Sequence, residues 1–211
     1  HIELAEDIAK RTASTKPIEP RRFRRPVPDD KIMDRAFEAL KTARRPVILA
    51  GNGCIRKRAS RQLRTFCDKT GIGVISTFMA RGAVDRDADY CLYTIGLQAK
   101  DLVACTIDAS DLVITLGYDM VEYHPRLWNP DSGKRIIHMD FLPAEIDENY
   151  SMEVEVVGDL AHALWMLNER VDAFTRKGGE FGFDLSQQAA VRQEMKEEFE
   201  AYKDDDAVGA I

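Results

Sequence analysis

Apolar residues recur with a helical period in several segments of the chain. Asp29 or Asp30 can cap a first helix, because a short acidic side chain accepts hydrogen bonds from free backbone N–H groups. The apolar face of this helix is predicted at Met33, Ala36, Phe37 and Leu40. A second helix is predicted to end at Gly71. Its apolar face is predicted at Ile55, Ala59, Leu63, Phe66 and Cys67.

Short, continuously apolar runs lie between the helical segments, as is typical of strands buried on both faces of a sheet. The predicted strands are 46–50, 73–76, 111–117, 135–140 and 153–158. Further helices are predicted at 100–109, 160–171 and 186–203, and the segment through Tyr90 and Gly96 is predicted to be irregular. Parallel strands need crossover connections, and both faces of their sheet must be covered. The alternation therefore predicts an α/β fold with a doubly wound, mainly parallel sheet and helices on both faces.

Changes in composition divide the chain into three parts. Residues 1–29 are predicted to end in an extended linker, because their second half is basic, rich in proline and without an apolar period. Residues 30–171 form the predicted α/β body. Glycines then interrupt the pattern, and 172–211 are predicted to form a helical connector. Its acidic side chains are expected to form a solvated helix face: Glu194, Glu197, Glu198 and Glu200.

Composition narrows the class of protein. With 211 residues, 45% of them hydrophobic and 31% charged, and a net charge of −6, the chain resembles ordinary globular proteins and not disordered, collagen-like or membrane proteins. It has no long apolar run and no signal-peptide pattern, so we expect a cytoplasmic protein without a membrane partner. The basic linker contains a single aromatic residue, Phe23, which favours a solvated segment over nucleic-acid binding. The four cysteines form no Cys-x-x-Cys pair, and most of them are expected to be buried thiols.

A ligand of such a sheet would lie beyond the carboxyl ends of the strands. The candidate binding residues at these ends are Gly51, Asn52, Gly53, Gly117, Tyr118, Asp119 and Asp140. The two glycines of the first turn would let backbone N–H groups approach a phosphate, although a plain tight turn explains them equally well. Arg56 replaces the third glycine of the dinucleotide fingerprint, and Ser76 stands where that fingerprint has an acidic residue. Conventional NAD binding is therefore disfavoured.

Other polar residues allow several roles. Asp140 can accept hydrogen bonds from a ribose or cap the segment 143–146, and the cap is preferred. Asp119, Glu122 and His124 have the character of metal ligands, but their spacing matches no known metal site. His138 is predicted to be a hydrogen-bonded core residue.

Cys54 lies at a predicted helix N-terminus. That position can lower the pKa of a thiol, but no base is close in sequence, so a catalytic cysteine is not expected. No serine-hydrolase elbow, Walker loop or zinc-protease motif is present either.

Three segments resemble the central domain of thiamine-diphosphate-dependent acetolactate synthases. The most specific runs from Val113 to Asn129 and continues through 136–140 and 143–147. Segment 45–53 resembles the first strand and glycine turn of that domain, and segment 1–9 resembles the last strand and tail of the preceding pyrimidine-binding domain. The catabolic, flavin-independent branch is the most similar.

The resemblance implies a Rossmann-like middle domain between a pyrimidine-binding and a diphosphate-binding domain. The parent enzyme would use thiamine diphosphate and magnesium to condense two pyruvates into 2-acetolactate and CO₂, as a homo-oligomer. The Gly-Asp-Gly motif that holds the metal in this family is absent, since Leu160 follows Gly158-Asp159. We therefore expect this chain to be non-catalytic by itself. The start at His1 without methionine and the unfinished end at Ile211 agree with a chain cut at both ends.

In flavin-dependent relatives the middle domain binds FAD through residues that Gly51, Gly53, Gly117, Asp140 and Pro143 match in type. The charged segment of the flavin type is replaced here by Tyr118-Asp119-Met120-Val121-Glu122-Tyr123. FAD binding is therefore not expected. Two other hypotheses stay open at this point: a nucleotide-binding module for FAD, ADP or NAD, and an interaction domain that reuses the fold.

Overall fold

The computed structural model describes residues 3–12, 14, 16, 18–19, 25–56, 59–96 and 102–202. Its helices are α1 (Glu6–Ala9), α2 (Asp30–Lys41), α3 (Asn52–Arg56), α4 (Ser60–Thr70), α5 (Leu102–Ala109), α6 (Leu160–Arg176) and α7 (Ser186–Tyr202). Its strands are β1 (Pro46–Ala50), β2 (Val74–Ser76), β3 (Cys91–Thr94), β4 (Leu112–Leu116), β5 (Arg135–Asp140) and β6 (Val154–Val157). The centre of the linker with Phe23, the predicted helix start at 100–101 and residues 203–211 lie outside the described residues.

The described strands form one parallel sheet in the order β3-β2-β1-β4-β5-β6. The chain starts in the middle, moves outward to β3, and returns across β1 to β4 before it builds the other half. This is the doubly wound order, so the predicted fold class is confirmed. β1 and β4 are buried along their full length, which explains their continuous apolar sequence.

Two hydrophobic layers cover the sheet. One layer packs α2, α4 and α6 against one face, with Met33, Leu63 and Leu164 among its buried residues. The other layer packs α5 and α7 with an aromatic cluster against the opposite face. Helices therefore lie on both faces, as the parallel sheet requires. None of the helices described here has the length and apolar character needed to cross a membrane.

Several predicted helix ends agree with the structure. Asp29 caps α2, where its carboxylate accepts from the N–H groups of Lys31 (2.9 Å) and Ile32 (3.2 Å). Gly71 ends α4 in the left-handed conformation, with φ of 71°. The acidic residues of α7 are exposed, as expected for a solvated helix face.

Two predictions about helices and strands are wrong. The single helix predicted through Ile55 and Leu63 is two helices, α3 and α4, and Ile55 is 39% exposed instead of buried. The segment predicted to be irregular contains the edge strand β3, whose register with β2 shifts next to Tyr93. Tyr93 has a positive φ of 62°, a conformation that breaks a regular strand pattern.

The segment that directly precedes α2 is attached to the α/β body. Arg25 pairs with Asp159 at 2.8 Å, and the Asp159 amide donates to the carbonyl oxygen of Pro26 at 2.8 Å. Segment 6–9 forms the short helix α1, where the resemblance implied a strand. Helix α6 continues past 171 to Arg176. The proposed division of the chain at 172 stays a prediction.

Candidate ligand crevice

The carboxyl ends of β1 and β4 border a cleft of about 400 Å³. The strand order reverses between these two strands, and ligands of open α/β sheets bind at such a point. The predicted site residues that line the cleft are Asn52, Gly53, Gly117, Tyr118, Asp119 and Asp140. Gly51 lies next to this lining, where it packs against Gly117. The topology thus brings together residues that are up to 89 positions apart in sequence, from Gly51 to Asp140.

The two glycine turns at the base of the cleft contact each other through their backbones. The Gly51 N–H donates to the carbonyl oxygen of Leu116, and the Gly53 N–H donates to that of Gly117, both at 2.8 Å. A Cβ on Gly53 would lie 2.5 Å from the Gly117 Cα. Because both amides already have acceptors inside the protein, they cannot serve a phosphate without breaking these bonds. The contacts favour a tight structural turn over a phosphate cradle at these two amides.

Acidic side chains dominate the charge of the cleft. Asp119, Asp140 and Glu145 line it, and no lysine or arginine does so among the described residues. The Asp119 carboxylate accepts from the Val121 N–H at 2.9 Å, and that of Asp140 accepts from the N–H of Phe141. Negative walls repel the diphosphate of a nucleotide. The lining described here is therefore poorly suited to FAD or NAD.

The preferred role of Asp140 is wrong. Residues 143–147 form no helix, so there is no N-terminus for this carboxylate to cap. Its hydrogen bond goes to the adjacent amide of Phe141. Pro143, Ala144 and Glu145 instead belong to the lining of the cleft.

A buried aromatic wall closes one side of the cleft. Tyr118 packs edge-on against Trp128, with ring centroids 6.1 Å apart, and Tyr150 contacts both rings. The Trp128 indole N–H donates to the Tyr118 hydroxyl at 3.1 Å, and that hydroxyl donates to the carbonyl oxygen of Tyr123. Burial raises the pKa of Tyr118 and of Tyr150 well above the usual value, so both phenols stay neutral.

His138 belongs to this wall, as the core-histidine prediction requires. Its Nδ1 lies 2.9 Å from the Tyr150 hydroxyl, and its Nε2 lies 3.2 Å from the carbonyl oxygen of Leu142. The Tyr150 hydroxyl also lies 2.6 Å from Oγ1 of Thr115. Thr115 and His138 are both buried, and each ring nitrogen has a partner inside the protein. The histidine is a structural hydrogen-bonding residue in the core.

The residues with metal-ligand character do not converge on one point. The Glu122 carboxylate accepts from the Thr77 hydroxyl and from the Met79 N–H (3.2 Å), which fixes the turn after β2. His124 Nδ1 accepts from the Arg126 N–H at 3.2 Å. Among the described residues, no three histidine, cysteine or acidic side chains form a possible metal site. Sequence reasoning missed the role of Glu122, because its partners lie more than 40 positions away.

The possible pKa lowering at Cys54 is wrong. Burial raises the pKa of this thiol to about 12, because the desolvated thiolate would have no compensating charge. Asp140 adds to the effect by electrostatic repulsion, and the thiol donates to the carbonyl oxygen of Leu116 at 3.2 Å. Cys54 is therefore a buried thiol that stays protonated near neutral pH.

Comparison with known protein families shows to which family the chain belongs. The family described as "Thiamine pyrophosphate enzyme, central domain" matches residues 33–167. The chain belongs to this family. Its match covers the sheet from α2 to the middle of α6 and includes every candidate residue of the crevice.

Curated relatives of this central domain are acetolactate synthases. The enzyme of Bacillus subtilis (strain 168) is 30% identical over 162 residues, which are 75% of this chain and 28% of the relative. The enzyme of Mycobacterium leprae (strain TN) is 36% identical over 136 residues, or 63% of this chain and 21% of the relative. The catabolic acetolactate synthase of Raoultella terrigena is 30% identical over 145 residues, or 68% and 26%. The chain thus spans less than a third of the length of these relatives.

A solved structure supports the fold independently. The X-ray structure of a protein from Mycobacterium smegmatis, described as a thiamin diphosphate-dependent enzyme, aligns with a TM-score of 0.57. It is 21% identical in sequence, and the alignment covers 73% of this chain and 30% of that protein. At this identity the likeness concerns the fold alone.

The residues of this central domain do not fit a thiamine diphosphate–magnesium site. Asp159, which follows a glycine as in the metal-binding motif of the family, is already engaged. Its carboxylate accepts from the His162 N–H (3.0 Å) as the cap of α6 and pairs with Arg25 (2.8 Å). No other group of metal-ligating side chains is present among the described residues. No chemical step is assigned to this cofactor within the chain.

Proposed function

We propose that the chain is the central domain of an acetolactate synthase of the catabolic, flavin-independent type. The full-length enzyme would join two pyruvates, with loss of CO₂, to give 2-acetolactate, and it would use thiamine diphosphate and magnesium held by other domains. The observation that carries this proposal is the match to acetolactate synthases, which for the Bacillus subtilis enzyme extends over 75% of the chain. The relative from Raoultella terrigena is itself of the catabolic type.

The chemistry of the crevice supports the flavin-independent branch. Its lining carries three carboxylates and no described lysine or arginine, and the amides of Gly51 and Gly53 at its base already donate to backbone carbonyls. The aromatic wall of Tyr118, Trp128 and Tyr150 fills space beside the strand ends with side chains. In this proposal Gly51, Asn52, Gly53, Gly117, Tyr118, Asp119 and Asp140 shape the crevice rim without holding a flavin.

The role of the chain in the enzyme would be structural. Residues 1–29 would come from the pyrimidine-binding domain and its linker, 30–171 would form the central domain, and 172–211 would lead to the diphosphate-binding domain. The partners are thus the flanking domains of the same subunit, in a homo-oligomeric enzyme. The four cysteines are free thiols, which supports a reducing, cytoplasmic location.

Activity measurements with and without the flanking domains test this proposal. The full-length protein, supplied with thiamine diphosphate and Mg²⁺, is expected to convert pyruvate into 2-acetolactate, whereas the 211-residue chain is expected to be inactive under the same conditions. Product formation by the 211-residue chain would show that a catalytic site lies within it. Absence of pyruvate consumption by the full-length protein would exclude the proposed reaction.

The flavin content of the full-length protein tests the assignment to the flavin-independent type. We expect no absorption band near 450 nm in the purified full-length protein and no stimulation of its activity by added FAD. Calorimetric titration of the 211-residue chain with FAD, ADP and NAD is expected to give no saturable heat. A copurifying flavin, or saturable binding of any of the three, would support the nucleotide-binding alternative, which the acidic lining does not favour.

A further inference from the structure

A second cleft, of about 540 Å³, lies at the carboxyl ends of β2 and β3. Ser76 and Thr94, the last residues of these strands, contribute to its walls together with loop 81–86 and helix α7. Among the described residues it shares no lining residue with the crevice between β1 and β4. The two clefts are therefore separate.

Much of the second cleft is apolar. Met195 and Phe199 line it from α7, and Val84 and Tyr93 line it from the sheet side of the chain. Phe199 is half exposed, so part of its side chain is in contact with water. The apolar part of a ligand would gain free energy by covering these side chains.

Arginines give the same cleft a positive charge. Arg81 and Arg86 line it, and the Arg86 guanidinium lies 4.3 Å from the centre of the Phe199 ring. Arg192 of α7 donates to the carbonyl oxygens of Cys91 (3.1 Å) and Asp87 (3.0 Å), so it supports the wall with backbone contacts.

These guanidinium groups have no acidic partner in the part of the chain that the structure describes. No carboxylate oxygen there lies within 4.0 Å of Arg81, Arg86 or Arg192. The neighbouring Asp85 carboxylate accepts from the Asp87 N–H at 3.0 Å. In a protein with a net charge of −6, three guanidinium groups without ion pairs around one cleft favour an anionic ligand there.

We propose that the second cleft binds an organic anion that has one acidic group and an apolar body. The carboxylate or sulfonate would pair with Arg81 and Arg86, whose guanidinium groups are suited to such anions, and the apolar body would cover Phe199 and Met195. The combination of charge and apolar surface distinguishes this ligand from inorganic phosphate and from a neutral hydrocarbon.

Two fluorescent probes with closely similar apolar bodies test the charge requirement. 8-Anilinonaphthalene-1-sulfonate carries the acidic group, and N-phenyl-1-naphthylamine lacks it. We expect the 211-residue chain to bind the sulfonate at least about tenfold more tightly, because the anion gains charged hydrogen bonds that the neutral probe cannot form. Equal affinity for the two probes would overturn the proposal.

Substitution of the cleft arginines tests whether the sulfonate probe binds in the second cleft. The double variant R81Q/R86Q is expected to bind the sulfonate about tenfold more weakly and the neutral probe unchanged. The control R44Q/R126Q removes the same charge from exposed arginines outside the cleft and is expected to retain full affinity. Equal losses in both double variants would mean non-specific attraction and would contradict the proposal.

Competition with small unlabelled ligands tests whether the cleft binds organic anions other than the fluorescent probe. Hexanoate is expected to displace the bound sulfonate probe, whereas hexanol at the same concentration is not. F199A is expected to weaken both fluorescent probes, because each of them loses the aromatic contact. Displacement by hexanol as effective as that by hexanoate would show an apolar site without charge recognition. Circular dichroism of each variant checks that the fold is retained.

Discussion

Single glycines determine how closely β1 and β4 approach at their carboxyl ends. Gly51 and Gly53 face Gly117 so closely that a methyl group on any of them would overlap backbone atoms at 2.4–2.5 Å. Gly117 also has a positive φ of 55°. A side chain at Gly117 would both clash with backbone atoms and strain the backbone. The close approach of the two turns therefore requires that all three positions lack a Cβ atom.

Gly117→Ala is therefore expected to lower the free energy of unfolding by about 3 kcal/mol or more. Urea denaturation monitored by circular dichroism measures the change. Two other glycines separate the contributions. Gly82→Ala, with φ of 89° and no atom within 4 Å of the new Cβ, is expected to cost about 1 kcal/mol from strain alone. Gly133 has no positive φ and no atom within 4 Å of a new Cβ, so Gly133→Ala is expected to change the stability very little. Equal effects at 82 and 117 would contradict the packing argument.

The buried thiol of Cys54 makes stability depend on alkaline pH. Its pKa is raised from 9.0 to about 12 by burial, so the folded chain keeps a proton that the unfolded chain loses above pH 9. The stabilisation is fully present below pH 9 and is lost as the pH rises towards 12. Wild type is expected to lose up to about 1.4 kcal/mol per pH unit more than Cys54→Ala in this interval. Parallel pH profiles of the two proteins in urea denaturation would disprove the assignment.

At the level of elements, the side-chain amide of Gln188 helps to attach helix α7 to the sheet. The Gln188 Oε1 accepts from the Gly73 N–H at 2.8 Å, and its Nε2 donates to the carbonyl oxygen of Pro46 at 2.7 Å. Pro46 is the first residue of β1, and Gly73 directly precedes β2. The amide thus satisfies two buried groups at once.

Gln188→Ala is expected to destabilise the chain by about 2 kcal/mol, because it leaves a buried donor and a buried acceptor without partners. The adjacent Gln187 offers a matched control. Its amide makes an exposed bond to the carbonyl oxygen of Cys105, and Gln187→Ala is expected to change stability by less than about 0.5 kcal/mol. Unfolding curves that are identical for the two variants would show that the bridge is unimportant.

Elements with a strong local pattern could be predicted from the sequence. β1 and β4 are buried throughout and read as unbroken apolar runs, and Asp29 marks the start of α2. β3 could not be predicted, because an edge strand with a register shift and a positive φ at Tyr93 has no regular alternation. The break between α3 and α4 could not be predicted from the sequence either, because the spacing of apolar residues continues across it.

The crevice was only partly predictable. The topology rule located it at the strand ends, and six of its lining residues were proposed from the sequence. The amides of Gly51 and Gly53 donate to backbone carbonyls because two turns that are distant in sequence pack closely together. No local sequence pattern reveals this packing. The hydrogen bonds from Thr77 and Met79 to Glu122 are equally non-local.

On the scale of the whole molecule, the side of the protein at the carboxyl ends of β1, β2 and β4 exposes apolar side chains. Ile55, Phe78, Met79 and Val121 lie beside the strand ends, and Val121 is 89% exposed. The Glu122 carboxylate holds the Met79 backbone in place next to Val121. Exposed apolar patches of this kind commonly mark contact surfaces. In the proposed enzyme, other domains would cover them.

The isolated chain is accordingly expected to self-associate weakly as its concentration rises. Val121→Asp is expected to reduce this association, because a charge on the patch opposes its burial. Ile146→Asp introduces the same charge on another exposed segment, after β5, and is expected to leave the association unchanged. Sedimentation velocity over a range of concentrations measures the effect. Equal behaviour of the two variants would exclude the patch as the contact surface.

The aromatic wall gives the molecule a built-in optical reporter. Trp128 is 1% exposed in the wall, and Trp165 on α6 is 45% exposed. These two indoles are all the tryptophans of the chain. A water-soluble quencher such as acrylamide would therefore remove the emission of Trp165 first and leave a blue-shifted component from Trp128. Events at the crevice and events on the α6 surface can thus be followed separately in one unlabelled sample.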